Sequence, residues 1–180
     1  MESAAILQVR KTAEDLFASG LYCAESVVAA IADAEGFKSE LLPRVATGFG
    51  GGMARTGGAC GALTGAIIGV GLALGRSAAT DSVEPAFAAT RRVIEAFERE
   101  FGARDCPALL GGCDLATPEG QAIFKEQKLR RRCLRFTGGA AEIAARVIAE
   151  SQGRSVGSSA KSAVERGADA ELNLTSGERR

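Results

Sequence analysis

The sequence contains no histidine. This absence excludes Ser-His and Cys-His catalytic pairs, and it excludes zinc sites that combine cysteine with histidine. It also excludes covalent haem attachment through a CxxCH motif, so we expect no haem. Any nucleophile, metal site or redox site in this chain must use other side chains.

Neither sign of charge predominates, because 22 Lys and Arg residues balance 22 Asp and Glu residues. A neutral chain has no overall field that attracts nucleic acid or an anionic membrane, so we expect neither as a partner. The first residues, MESAAILQVRKTAEDL, lack the basic start and apolar run of a signal peptide, which predicts a cytoplasmic protein. Five cysteines in a reducing compartment are better interpreted as ligands, redox thiols or core residues than as structural disulfides.

A glycine-rich stretch from Gly48 to Gly75 dominates the middle of the chain. Twenty residues between Arg55 and Arg76 carry no charge and include seven glycines. This length would suit a membrane span, but the glycines dilute its hydrophobicity and no aromatic belt flanks it, which favours a buried helix. Glycines recur every fourth residue and predict a bare ridge that a second helix can approach closely. Members of this ridge are Gly57, Gly61, Gly65 and Gly69.

The remaining pattern is helical throughout. Aromatic residues make up only 5% of the chain, which predicts a core of small aliphatic side chains. No segment alternates with a period of two, so we expect an all-α, single-domain bundle of six or seven helices around the Gly-rich central helix. The bundle is assigned to residues 1–151 and a weakly ordered tail to 152–180. Besides the central helix, the predicted helices are Ser3 to Ser19, Tyr22 to Ala34, Ser39 to Val45, Ser82 to Phe101, Thr117 to Arg135, and Ala140 to Glu150 after a turn at Thr137, Gly138 and Gly139.

The five cysteines are dispersed, and none lies in a CxxC pair. Cys23 lies in the first turn of a predicted helix, where backbone N–H groups would lower its pKa. Cys133 lies among arginines that would stabilise a thiolate or offset a negative cluster. Cys106 and Cys113 share a loop that is flexible enough to bring both sulfurs to one metal. Simple core residues remain the alternative for all five.

Several motifs occur together in one order: YCAESV, GGGMARTGGACGALTGA, CPALLGGCDLATPEG and RRCLR. In this combination the chain resembles the C-GCAxxG-C-C family, which is described as redox-active. The resemblance extends from about Leu21 to Cys133 and assigns the family's cysteines to Cys23, Cys60, Cys106 and Cys133, with Cys113 as an additional thiol. The central motif departs from the signature in one respect, because Ala59 and not glycine precedes Cys60.

Three functional hypotheses follow. The leading one is an electron-transfer protein whose cysteines hold an iron–sulfur cluster, with Cys60, Cys106, Cys113 and Cys133 as first-choice ligands and Cys23 as the substitute. The second is a metal-free thiol oxidoreductase or redox sensor, with a low-pKa thiolate at Cys23 or Cys133 and a resolving partner such as Cys60 or Cys113. Cys23 and Cys60 are its first-choice catalytic residues. The third is a non-enzymatic helical protein that assembles through its glycine ridge. The redox partner is unknown, and the ridge is compatible with a homodimer.

Overall fold

A computed structural model describes residues 3–154 of the chain. It contains a 3₁₀-helix at Arg44–Phe49 and a single antiparallel bridge between Ala59 and Asp105, with no strand in the described range. The α-helices are α1 (Ser3–Ala18), α2 (Cys23–Ala34), α3 (Gly50–Met53), α4 (Gly61–Leu74), α5 (Glu84–Phe101), α6 (Cys106–Leu109), α7 (Pro118–Glu126) and α8 (Arg130–Ser151).

The predicted all-α bundle is confirmed. Six helices have nine or more residues, and α3 and α6 are single turns of four residues each. The Gly-rich helix α4 packs against α2, α5 and α8, while α8 also packs against α1. None of the described helices is long and apolar enough to cross a membrane. Most of the predicted tail lies outside the described residues, since these end at residue 154.

The glycine ridge is the surface of α4 that α2 contacts. A Cβ atom at Gly65 would lie 2.6 Å from the carbonyl oxygen of Ala24, and one at Gly69 would lie 2.5 Å from the Ile31 side chain. At Gly65 the backbone of α2 leaves no room for a side chain, and at Gly69 the Ile31 side chain occupies that space. Gly57, however, was wrongly included in the ridge: it precedes α4, with φ at +80°, because the helix begins only at Gly61.

The carboxyl-terminal helices differ from the prediction. The helix that starts at the Thr117 cap ends at Glu126, and Lys128 has a left-handed φ of 54° that separates α7 from α8. The predicted turn at Thr137, Gly138 and Gly139 is wrong, because α8 continues through all three. Gly138 and Gly139 instead allow close approach, since a Cβ atom at the first would collide with Glu14 and one at the second with the Phe101 ring.

The predicted helix after α2 is wrong, whereas the predicted start of α5 is partly confirmed. The helix expected from Ser39 to Val45 is replaced by turns and by the 3₁₀-helix that follows Pro43. Proline occupies the first turn of α5 as predicted, but the predicted start at Ser82 is wrong, because Val83 precedes the first helical residue, Glu84. The Ser82 hydroxyl accepts a hydrogen bond from the Glu84 N–H at 3.2 Å.

Candidate redox site

Four of the five cysteines line one cavity of about 350 Å³. Cys23 is the first residue of α2, Cys60 immediately precedes α4, Cys106 is the first residue of α6, and Cys133 lies in the first turn of α8. All four therefore lie at helix amino-terminal ends, three of them on helices of twelve or more residues. Unpaired N–H groups and the positive end of the helix dipole favour negative charge at such positions. The fold thus directs several such ends at one cysteine-lined cavity.

A short backbone pairing holds Cys60 beside Cys106. The Cys60 N–H donates to the Arg104 carbonyl at 2.8 Å, and the Cys106 N–H donates to the Gly58 carbonyl at 3.0 Å. These two bonds flank the bridge between Ala59 and Asp105. The loops before α4 and α6, which are far apart in sequence, are therefore fixed side by side at the cavity.

The segment from Gly51 to Arg55, which overlaps α3, forms a left-handed turn beside the cavity. All five residues from Gly51 to Arg55 have positive φ, including the non-glycine residues Met53, Ala54 and Arg55 at 58°, 54° and 68°. Such a backbone costs roughly 1–2 kcal/mol for each non-glycine residue. A Cβ atom at Gly52 would collide with Cys106, and the Gly51 N–H hydrogen-bonds to the Cys23 sulfur. These left-handed angles bring the backbone of Gly51 and Gly52 against two of the cavity cysteines.

Burial controls the electrostatics of the cavity thiols. Cys23, Cys60 and Cys106 are 7%, 6% and 8% exposed, respectively. Burial raises the pKa of the Cys106 thiol to about 11 and that of Cys133 to about 12, and the repulsion of neighbouring cysteine thiolates raises both further. The pKa of Cys60 is raised more strongly by the same two causes, although the N–H groups of Ala62 and Leu63 oppose the shift.

The expectation of a lowered pKa at Cys23 and Cys133 was wrong. The pKa of Cys23 is raised by burial despite hydrogen bonds from the Gly51 and Ala24 N–H groups. At Cys133 the charge of Arg130 lowers the pKa, but the loss of solvation is the larger effect. Sequence gives the neighbours of a thiol along the chain, whereas desolvation depends on how the helices pack around it.

Cys113 is placed differently from the other four cysteines. It is buried and free of any disulfide, and its Sγ donates to the Gly120 carbonyl at 3.1 Å. It does not line the cavity. Of the predicted ligands Cys60, Cys106, Cys113 and Cys133, the structure therefore groups three around the cavity and adds Cys23 to them. Within residues 3–154 no three Cys, Asp or Glu side chains converge closely enough to bind a single metal ion.

The cavity wall includes residues that the sequence did not indicate. Phe17, Leu109, Leu110 and Phe136 supply apolar surface. At the exposed side the cavity is lined by Arg55, which donates from Nη2 to the Tyr22 hydroxyl at 3.2 Å. Arg130 also lines the cavity, with its guanidinium 4.3 Å from the centre of the Phe17 ring and hydrogen-bonded to the Phe17 carbonyl.

The comparison with known families matches the part of the chain that contains these cysteines. The family described as "Putative redox-active protein (C_GCAxxG_C_C)" matches residues 21–147. The chain belongs to this family. The C_GCAxxG_C_C match contains all five cysteines, and the four cysteines that line the cavity are those to which the resemblance assigns the family signature. No curated protein and no solved structure shows a significant match to the chain.

The raised pKa values predict slow thiol chemistry in metal-free protein. We expect iodoacetamide to modify Cys106 about a hundredfold more slowly at pH 8 than in unfolded chain, because its pKa is about 11 instead of 9.0 and the thiolate is the reacting form. Peptide mass spectrometry with and without guanidinium chloride measures this rate. Equal rates in the two conditions would contradict the burial of this thiol.

The same pKa values predict a loss of stability in alkali. The folded thiols of Cys106 and Cys133 hold their protons more tightly than the same thiols do in the unfolded chain. Their contribution to the free energy of unfolding is therefore complete below pH 9. We expect it to be lost progressively as the pH rises through the folded pKa values of about 11 and 12. Urea unfolding of metal-free protein at pH 7.5, 9 and 10.5 measures the change. A free energy of unfolding that rises from pH 7.5 to pH 10.5 would contradict the prediction that deprotonation of these thiols destabilises the fold.

Proposed function

We propose that this chain holds an iron–sulfur cluster through Cys23, Cys60, Cys106 and Cys133 and transfers electrons with it. The observation that carries the proposal is the cavity lined by these four cysteines, each at the amino-terminal end of a different helix. Thiolates are the ligands that hold iron–sulfur clusters in proteins. The geometry favours Cys23 over Cys113 as the fourth ligand, because Cys113 faces the Gly120 carbonyl outside the cavity.

The donor set fits a cluster better than a single ion. All four donors are thiols, and they surround a space of about 350 Å³ without converging on a common point. A mononuclear zinc site needs its ligands within about 2.3 Å of one ion. A cluster distributes its cysteine ligands over several metal atoms, so widely placed thiols are consistent with it.

The charge balance of the cavity supports the same proposal. Four thiolates in an apolar cavity would repel one another, and this repulsion contributes to the raised pKa values of Cys60, Cys106 and Cys133. A bound metal reverses this situation, because a coordinated thiol is deprotonated outright. Helix amino-terminal ends then stabilise the remaining negative charge.

The protein groups around the cavity have distinct roles in this proposal. When bound, the cluster supplies a one-electron couple. N–H groups that hydrogen-bond to the sulfurs of Cys23 and Cys60 stabilise negative charge and so raise the potential of the site. Phe17 and Phe136 supply apolar surface to the cavity, while Arg130 contributes a positive charge to its lining.

The metal-free thiol oxidoreductase is less well supported. Its attacking cysteine needs an appreciable thiolate fraction near neutral pH. The pKa values of Cys23, Cys60, Cys106 and Cys133 are all raised, which disfavours this reactivity. The cytoplasmic location, the redox partner and the homodimer stay predictions.

Reversible reduction tests the electron-transfer function. Anaerobically reconstituted protein should lose visible absorption on addition of dithionite and regain it on controlled oxidation, over repeated cycles. An equivalent sample taken through the same steps without iron and sulfide serves as the control and should show no such absorption. If the untreated protein instead cycles only between thiols and a disulfide between two cavity cysteines, as mass spectrometry would show, the cluster proposal is wrong and the thiol hypothesis replaces it.

A further inference from the structure

A basic groove lies beside the cysteine cavity, between the end of α1 and the start of α8. It is about 540 Å³ in volume and has Phe17, Phe124 and Leu134 on its apolar floor, with Lys125, Lys128 and Arg131 at its rim. No carboxylate lines this groove. Because the chain as a whole is neutral, this concentration of one sign of charge is a local feature.

The rim cations are not neutralised by the protein itself. Within residues 3–154, Lys125, Lys128 and Arg131 form no ion pair, and all three are exposed. Several other cations of the bundle are paired: Arg92 binds Glu150, for example, and Arg154 binds Glu35 at 2.7 Å. The groove therefore presents positive charge that is available to a negatively charged partner.

The groove and the cysteine cavity share one wall. Phe17, Phe124 and Arg130 line both spaces. A molecule seated in the groove is thus separated from the cavity by single side chains. A redox partner held by the unpaired cations would therefore lie next to the cysteine cavity.

We propose that the basic groove is the docking surface for a small acidic electron-carrier protein. The inference rests on the proposed function, since an electron carrier needs a redox centre to serve. Complementary charge would accelerate the encounter, and the apolar floor would contact the partner at short range. A cluster held by Cys23, Cys60, Cys106 and Cys133 would accept one electron from the reduced carrier, with no bond formed or broken. A protein is favoured over nucleic acid because the groove combines its cations with an apolar floor and the chain as a whole carries no net positive charge.

Zero-length cross-linking tests the docking surface independently of the cluster. An acidic flavodoxin serves as the probe, and a carbodiimide joins its carboxylates to lysines of the chain. We expect cross-links at Lys125 and Lys128, and we expect them to disappear at high salt because the attraction is electrostatic. Lys11 and Lys38 do not line the groove and serve as internal controls. Cross-links at those two lysines instead, or none at all, would overturn the proposal.

Charge reversal supplies the matched variants. The triple variant Lys125→Glu, Lys128→Glu and Arg131→Glu should lower the rate of electron transfer from reduced flavodoxin by tenfold or more at low salt. The control variant Lys38→Glu, Arg44→Glu and Arg76→Glu changes the net charge equally at exposed positions outside the groove and should retain most of the rate. If both variants lost the same fraction of the electron-transfer rate, only net charge would matter. That result would overturn the assignment of the groove as the docking surface.

Two further outcomes separate the alternatives. Metal-free protein that still cross-links at Lys125 and Lys128 supports the docking surface even if the cluster proposal fails. A 20-nucleotide single-stranded DNA that binds at physiological salt, and loses binding in the groove variant but not in the control, would assign the groove to nucleic acid and overturn the assignment to a protein partner.

Discussion

Replacement of Cys60 by serine is expected to remove most of the iron and acid-labile sulfide from reconstituted protein. Cys60 is 6% exposed, is positioned by the bond from its own N–H to the Arg104 carbonyl, and receives the N–H groups of Ala62 and Leu63 at its sulfur. A serine oxygen is a poorer ligand for iron than a thiolate, because it is harder and far less acidic. The same result is expected for serine at Cys23, Cys106 and Cys133. Iron and sulfide assays on each anaerobically reconstituted variant measure it.

Cys113→Ser is the matched control for this series. Its sulfur is also buried, but it donates to the Gly120 carbonyl and a serine hydroxyl can make the same hydrogen bond. We expect this variant to keep iron and sulfide close to wild-type amounts. A series in which Cys113→Ser loses the cluster while Cys23→Ser keeps it would restore Cys60, Cys106, Cys113 and Cys133 as the ligand set.

Gly65→Ala is expected to destabilise the fold by about 1–3 kcal/mol, a range typical of overpacking in a close-packed core. The new Cβ atom would lie 2.6 Å from the Ala24 carbonyl oxygen and 2.9 Å from the Ala24 Cα atom. Both are backbone atoms of α2, so the two helices must separate. Since Cys23 begins α2 and Cys60 immediately precedes α4, the cavity should be disturbed as well. Urea unfolding measures the loss of stability.

Gly71→Ala is the control on the same helix. Gly71 is exposed, and a Cβ atom there meets nothing within 4 Å. Alanine is a better helix former than glycine by about 0.8–1.0 kcal/mol, so this variant should be as stable as wild type or slightly more stable. A similar loss of stability in both variants would indicate that α4 needs glycine for a reason other than its contact with α2.

The helices that pack by regular periodicity could be predicted from the sequence. In α5, Val93 and Phe97 are fully buried four residues apart, which is the pattern that predicts an amphipathic helix. The ridge at Gly61, Gly65 and Gly69 was predicted in the same way. Periodicity could not predict the role of Gly138 and Gly139. In the sequence they resemble a turn, whereas in the structure Glu14 and Phe101 pack against them within a helix.

The grouping of the cysteines could not be derived from their spacing. Cys23, Cys60, Cys106 and Cys133 belong to four different helices and meet only through tertiary packing. Only the resemblance to a family indicated these four together. The boundary between α7 and α8 was missed for a local reason, since the left-handed backbone at Lys128 has no glycine or proline to announce it. As a result Cys133 was assigned to a helix end when it lies in a first turn.

Iron and acid-labile sulfide analysis of anaerobically purified protein, combined with its absorption spectrum, tests the central claim most directly. We expect iron and sulfide in near-equal, stoichiometric amounts and visible bands that bleach with dithionite. A colourless protein without iron or sulfide, even after reconstitution, would contradict the claim that the four cavity cysteines hold a cluster.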